Sequence, residues 1–238
     1  MKAVLFDFNG TLFFDSDINA IAWRQTIAEL TGDRIDFDQI YPEYKSVRNE
    51  IFVEKVFEMM GHPADPKEIL YWARRKETKY YHSYCRQHHR NRLAPGAEEL
   101  LDFLKEKKIP FNLCTASLKE NVDFYFSYIG LNRWFDREIV AYDDGTFQNK
   151  VEMYQAAAER IGYEIGECLV FEDSPRSINE AIEAGCRSIV AIQREEIPQR
   201  KQILQVIRDF TEFDRKILEA EEDRNVSRET FEGNNDLG

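Results

Sequence analysis

Four stretches of this 238-residue chain end in side chains that could do chemistry together. The apolar run KAVLF leads into Asp7, with Asn9, Gly10 and Thr11 directly behind it. The run IPFNLC (109–114) leads into Thr115, Ala116 and Ser117, and the run ECLVF (167–171) into Glu172-Asp173-Ser174. Lys150 opens a helical pattern after DDGTFQN. Taken singly, each has a plain structural explanation. Asn-Gly is a turn dipeptide, acids before a helix serve as its cap and first turn, Thr115 can be a satisfied strand-end hydroxyl, and Lys150 a surface lysine. Brought to one place, they form a different set: carboxylates from two strands, a hydroxyl from a third, and an ammonium. That set suits a hard cation with oxygen ligands, beside a phosphate held by hydroxyl, backbone N–H and lysine.

Meeting at one place requires a particular scaffold. The runs KAVLFD, IPFNLC, EIVA (138–141), ECLVF and CRSIVAI (186–192) are short and almost wholly apolar, as strands buried on both faces must be. Helical patterns at 96–108, 119–130, 151–162 and 177–185 separate them. Strand and helix alternating at this spacing predict an α/β fold, a Rossmann-like parallel sheet wound on both faces. Ligands of such sheets bind beyond the carboxyl ends of the strands, where Asp7, Thr115 and Asp173 stand. From about Ser16 to Arg90 only helical patterns occur, among them INAIAWRQTIAEL, NEIFVEKVFEMM and DPKEILYWARRKETKYYHSYCRQHHR. The expected organisation is a core of residues 1–15 and 91–215, an inserted helical domain at 16–90, and an acidic tail at 216–238. Two connections at neighbouring points would let the insert open and close.

In this order, the stretches resemble the four motifs of the haloacid-dehalogenase-like (HAD) superfamily. DFNGTL is similar to motif one, usually Asp-x-Asp-Gly-Thr; FNLCTAS to motif two; Lys150 to the motif-three lysine; and LVFEDSPRSINEAIEAG to motif four of the subfamily containing β-phosphoglucomutase and phosphoglycolate phosphatase. The insert corresponds to that subfamily's helical cap. The resemblance implies that Asp7 attacks phosphorus to form an aspartyl-phosphate. Mg²⁺ would be held by the Asp7 carboxylate, the main-chain carbonyl of Asn9 and Asp173, with Glu172 as a further or water-mediated ligand. Thr115 and the N–H groups of Gly10, Thr11 and Ala116 would hold the phosphoryl group, and Lys150 would offset the charge crowded there.

One residue departs from the pattern. The family's second aspartate protonates the leaving group and then deprotonates the attacking water; here it is Asn9, whose carboxamide has no proton to exchange at neutral pH. A substrate whose leaving group needs little protonation, a proton from a cap residue or Asp15, or a protein that binds with little turnover would each fit, as would an engineered Asp-to-Asn change. The implied reaction is hydrolysis of a small phosphorylated metabolite. The rivals are a phosphomutase of the β-phosphoglucomutase type and a phosphate-binding protein with little turnover.

A formal net charge of −12 argues against nucleic-acid binding. The apolar runs are too short to cross a bilayer, and no signal peptide is evident. Four scattered cysteines read as reduced thiols, so a cytoplasmic monomer or homodimer is expected. Within the insert, Arg24, Lys45 and Arg48 are candidates to touch substrate. The helix around 72–92 carries Arg74, Arg75, Lys76, Lys79, Arg86, Arg90 and Arg92, a solvated basic face against an acidic neighbour or an attractor of anionic substrate. His82, Cys85 and His89 share one face of it; one helix rarely closes a coordination sphere alone.

Overall fold

The structure is a computed structural model and describes residues 1–44, 47–63 and 65–219. In chain order these form β1 (Ala3–Phe6); helices α1 (Ser16–Thr31), α2 (Phe37–Tyr44), α3 (Asn49–Met59), α4 (Pro66–Arg75) and α5 (His82–Gln87), with a π-helical stretch at Lys76–Tyr81; and α6 (Ala97–Glu106). There follow β2 (Phe111–Leu118), α7 (Lys119–Phe124) running into a π turn at Tyr125–Ile129, β3 (Ala141–Asp143), α8 (Lys150–Glu159), β4 (Cys168–Glu172), α9 (Pro175–Glu183), β5 (Ser188–Ile192), β6 (Ile203–Ile207) and α10 (Lys216–Glu219). Two compact units result, one of Met1–Phe14 with the chain from Leu93 onward, the other of Asp15–Arg92. No described helix is long and apolar enough to cross a membrane.

The first unit holds a six-stranded, all-parallel sheet in the order β3-β2-β1-β4-β5-β6. β1, β4 and β5 are buried along their whole length, the reason their sequences are continuously apolar rather than alternating. Period two divides their side chains between the faces. Ala3, Leu5, Val170 and Ile189 pack with Met153 and Tyr154 of α8 and Ile178 and Ala181 of α9. Phe6 and Phe171 point the other way, stacked with centroids 4.9 Å apart, and Phe210 and Phe213 close over Phe171. The four cysteines are buried free thiols.

Three elements differ from the sequence reading. EIVA is not a strand: Glu138 and Ile139 lie in a turn closed by Asp136, whose side chain accepts from Glu138 N–H and whose carbonyl accepts from Ile139 N–H, and β3 starts at Ala141. β2 runs beyond Cys114 to Leu118 through a register shift against β3. β6 was not expected, because an edge strand with exposed Leu204 and Val206 around Gln205 lacks the apolar continuity of its neighbours.

The second unit has its own core, Trp23, Ile27, Phe37, Phe52, Val53, Val56, Phe57 and Ala73. The basic face is only partly solvated. Arg75 and Lys79 pair with Glu29, and Arg90 with Asp17, but Lys76 is buried, donating to Asn19 Oδ1 and, at 2.8 Å, to Glu77 Oε1. Lys76 opens the π-helical stretch, whose Glu77 and Tyr81 are buried with it.

Candidate active site

The charged candidates are delivered by strand ends, the loop after one of them, or a helix start. Asp7 follows β1 directly and is fixed by its N–H, which donates to Phe171 O at 3.0 Å across the β1–β4 pair. Glu172 ends β4, and Asp173 stands between it and Ser174, the N-cap of α9, with Pro175 at the first helical position. Asn149 caps α8 by accepting from Glu152 N–H at 3.1 Å, which makes Lys150 the first residue of that helix.

The outcome is a buried electrostatic cluster. Lys150 Nζ donates to Asp7 Oδ1 and to Glu172 Oε2, both at 2.7 Å. Tyr154, one turn further along α8, donates its hydroxyl to Glu172 Oε2. Glu172 Oε1 accepts the N–H groups of Asp173 and Ser174, at 3.1 and 3.2 Å, so this acid also ties down the loop that carries Asp173. Thr11 Oγ1 donates to Asp173 Oδ1 at 3.2 Å. Among the described residues, Asp7, Glu172 and Asp173 are the group that could hold a metal, with one ligand atom from each within 4.8 Å of the others. Their crowding is visible in their titration. Burial, then Glu172, raises Asp7 to about 7 against the pull of Lys150. Burial, then Glu172 and Asp7, raises Asp173 to about 9. Burial acts to lower Lys150, but Asp7 and Glu172 overcome it and hold the ammonium well above its usual range.

The turn after Asp7 brings the remaining residues in. Gly10 N–H donates to Phe13 O at 2.8 Å, and Thr11 and Phe13 N–H donate to Phe8 O at 3.2 and 2.9 Å. The N–H groups of Gly10 and Thr11, expected to hold a phosphoryl group, donate within this turn in this structure. Gly10 has φ of 82°, and a Cβ there would lie 2.2 Å from Asp173 Oδ2, so the backbone and the carboxylate share one space. Thr115 is buried and its hydroxyl accepts from Ser117 N–H at 3.2 Å, with Ala116 exposed between them. Asn9 is gripped at both ends of its amide, Ser117 Oγ donating to Oδ1 at 2.8 Å and Nδ2 donating to Tyr125 Oη at 3.0 Å.

The sequence profile of the haloacid dehalogenase-like hydrolases matches residues 1–185. The chain belongs to that family. A HAD hydrolase of family IA, variant 3, from Entamoeba histolytica superposes with a TM-score of 0.81 at 29% identity, over 91% of this chain and 96% of that one. A β-phosphoglucomutase from Clostridium difficile superposes at 0.74 and 20% identity, over 95% and 99%, a likeness of fold. A Drosophila melanogaster relative named probable pseudouridine-5'-phosphatase is 29% identical over 211 residues, 77% of this chain and 90% of its own.

Within this HAD-like hydrolase, some residues proved to be elsewhere employed and some were missed. Arg24 is exposed and forked onto Asp38, at 3.0 and 2.5 Å, with its guanidinium 4.5 Å from the Phe37 centroid. Arg48 precedes α3 at its N-cap position, with no capping bond from its side chain, and lies 3.9 Å from Glu50; Lys45 falls outside the described residues, as does the tail from 220 onward. His82, Cys85 and His89 form no ligand group among the described residues. Asp15 is buried and accepts from the Tyr81 hydroxyl at 2.6 Å. Tyr125, Tyr154 and Arg194 were not foreseen, and Ser117 was named only for its place after Thr115 and Ala116. Tyr154 had a signal, its i+4 spacing from Lys150 on one helix face. Arg194, whose Nε donates to Gly10 O at 3.4 Å and whose guanidinium covers Phe14, follows β5 with no pattern that marks it.

Proposed function

We propose that this HAD-like hydrolase catalyses magnesium-dependent phosphoryl transfer from a small phosphorylated metabolite to Asp7 and then to water. The observation that carries this reading is the single ammonium of Lys150 bridging Asp7 and Glu172, with Asp173 alongside. Asp7 and Glu172 are buried and Asp173 half-buried, with an oxygen from each within 4.8 Å of the others; once deprotonated, the three carry more negative charge than the Lys150 ammonium balances, and oxygen donors are what magnesium takes. The donor set therefore fits: Asp7, the Asn9 carbonyl and Asp173 would hold the ion, with Glu172 as a further ligand. When bound, magnesium supplies positive charge to the phosphoryl oxygens.

The chain's own groups do the rest. Asp7, half relieved of its charge by Lys150, attacks phosphorus with a carboxylate oxygen. Lys150 keeps its proton throughout and screens nucleophile from phosphate. Thr115 and the N–H of Ala116, where β2 shifts register against β3, receive the phosphoryl oxygens. Phosphatase names among the relatives, such as that of the Drosophila melanogaster protein, support hydrolysis as the outcome. The test is phosphate release from a panel of phosphorylated sugars, nucleotides and acids, with magnesium and with EDTA. Release that needs magnesium and vanishes in Asp7→Asn is the expected result; release that persists in Asp7→Asn would overturn the reading.

A further inference from the structure

The amide at position 9 is held at both of its polar ends. Ser117, which holds Oδ1, is itself tied to Thr115 within β2. Tyr125, which receives Nδ2, is buried in the π turn with its ring 4.3 Å from that of Phe8, the residue between Asp7 and Asn9. The side chain two places from the nucleophile is thus oriented as firmly as the nucleophile. What it carries is a carboxamide, whose N–H can donate a hydrogen bond but cannot release its proton near neutral pH.

We propose, resting on the reading of the site above, that this chain takes phosphoryl donors whose leaving group departs as a stable anion, acyl phosphates above all, and discriminates against alkyl phosphate esters. In the first step the Asp7 oxygen–phosphorus bond forms while the bond from phosphorus to the leaving oxygen breaks. The electron pair stays on that oxygen, and a carboxylate leaving group needs no proton to carry it. An alkoxide does. In the second step a water oxygen bonds to phosphorus, the bond to Asp7 breaks with its electron pair returning to the carboxylate, and the water's proton passes to a phosphoryl oxygen. With an amide at position 9 the water is not activated by a side-chain base there, so the aspartyl-phosphate outlives the first step and accumulates.

The experiment is a leaving-group series on the full chain with magnesium: acetyl phosphate, para-nitrophenyl phosphate, phenyl phosphate and glycerol phosphate, each with the wild type, Asn9→Asp and Tyr125→Phe. General acid–base catalysis is worth about 10²–10⁴-fold, which sets the scale. Expected are a kcat/KM for glycerol phosphate at least about 10²-fold below that for acetyl phosphate, an initial burst with acetyl phosphate, and a gain of about 10²-fold or more on glycerol phosphate alone in Asn9→Asp. Tyr125→Phe should leave the ratio between donors unchanged. Glycerol phosphate turned over as fast as acetyl phosphate by the wild type would overturn the inference while leaving the reading of the site intact. So would a selective loss of glycerol phosphate turnover in Tyr125→Phe, since the phenol would then be the proton donor. Failure of every donor to react would overturn both.

Discussion

Lys150 gives the site its character, because its ammonium donates to Asp7 and Glu172 at equal distance while lying almost out of reach of water. The neighbouring Tyr154 completes the arrangement by donating to the same Glu172 oxygen. Removing that hydroxyl leaves a buried carboxylate with one donor fewer, an exchange that typically costs about 1–3 kcal/mol. Tyr154→Phe should therefore lower the midpoint of urea unfolding without changing its slope, and an unchanged midpoint would show that the bond contributes nothing. At this scale the sequence was legible wherever chemistry sits at the end of a regular run. Asp7, Thr115, Glu172, Asp173 and Lys150 could be read for that reason. Ser117 and Tyr125 could not, because what makes them matter is an amide more than a hundred residues away along the chain, at a separation no local pattern encodes. Lys76 misled for the converse reason: a basic run predicts a solvated face, and this member is buried against Asn19 and Glu77.

The element that sets the tolerance of the site is the turn from Phe8 to Phe13, closed by three backbone bonds and passing Asp173 through the space that a side chain at Gly10 would need. Gly10→Ala adds a methyl group at a positive φ and drives it into the Asp173 carboxylate, so the turn or the acid must move. Divalent binding by calorimetry should weaken at least about tenfold, with activity falling in parallel, whereas near-normal binding would mean that the turn relaxes freely. Elements were legible in proportion to their burial. β1, β4 and β5 announce themselves by continuous apolar sequence, and α8 and α9 by the caps Asn149 and Ser174. β6, on the sheet edge, and the π turn at Tyr125–Ile129 carry no such mark, since one is half solvated and the other differs from an α-helix only in hydrogen-bond register.

For the whole molecule, the consequence of gathering acids in one buried place is a coupling between folding, pH and metal. Asp7 at about 7 and Asp173 at about 9 both lie above the unfolded value of 3.8. Between that value and those, the folded chain binds protons that the unfolded chain has released. Their contribution to stability is therefore fully present in acid and is lost as pH rises through about 7 and then about 9. Magnesium competes for the same oxygens once they are deprotonated, so the rise in Tm on adding it should grow from slightly acid to alkaline pH. A rise that is constant across this range would mean that the ion binds away from these acids. The division into two compact units, and the apolar core that each one possesses, follow from the same sequence logic: a strand, an insert with helical period, then the alternation resumed.

A carboxylate oxygen of Asp7 is the proposed first acceptor of the phosphoryl group. Mixing the full chain with acetyl phosphate and magnesium, quenching in acid within the first turnover, and mapping the added mass by peptide sequencing would decide it. One phosphoryl group on the peptide containing Asp7, released by hydroxylamine and absent from Asp7→Asn, is the expected result. Phosphate released with no adduct at any time, or an adduct on another residue, would contradict it.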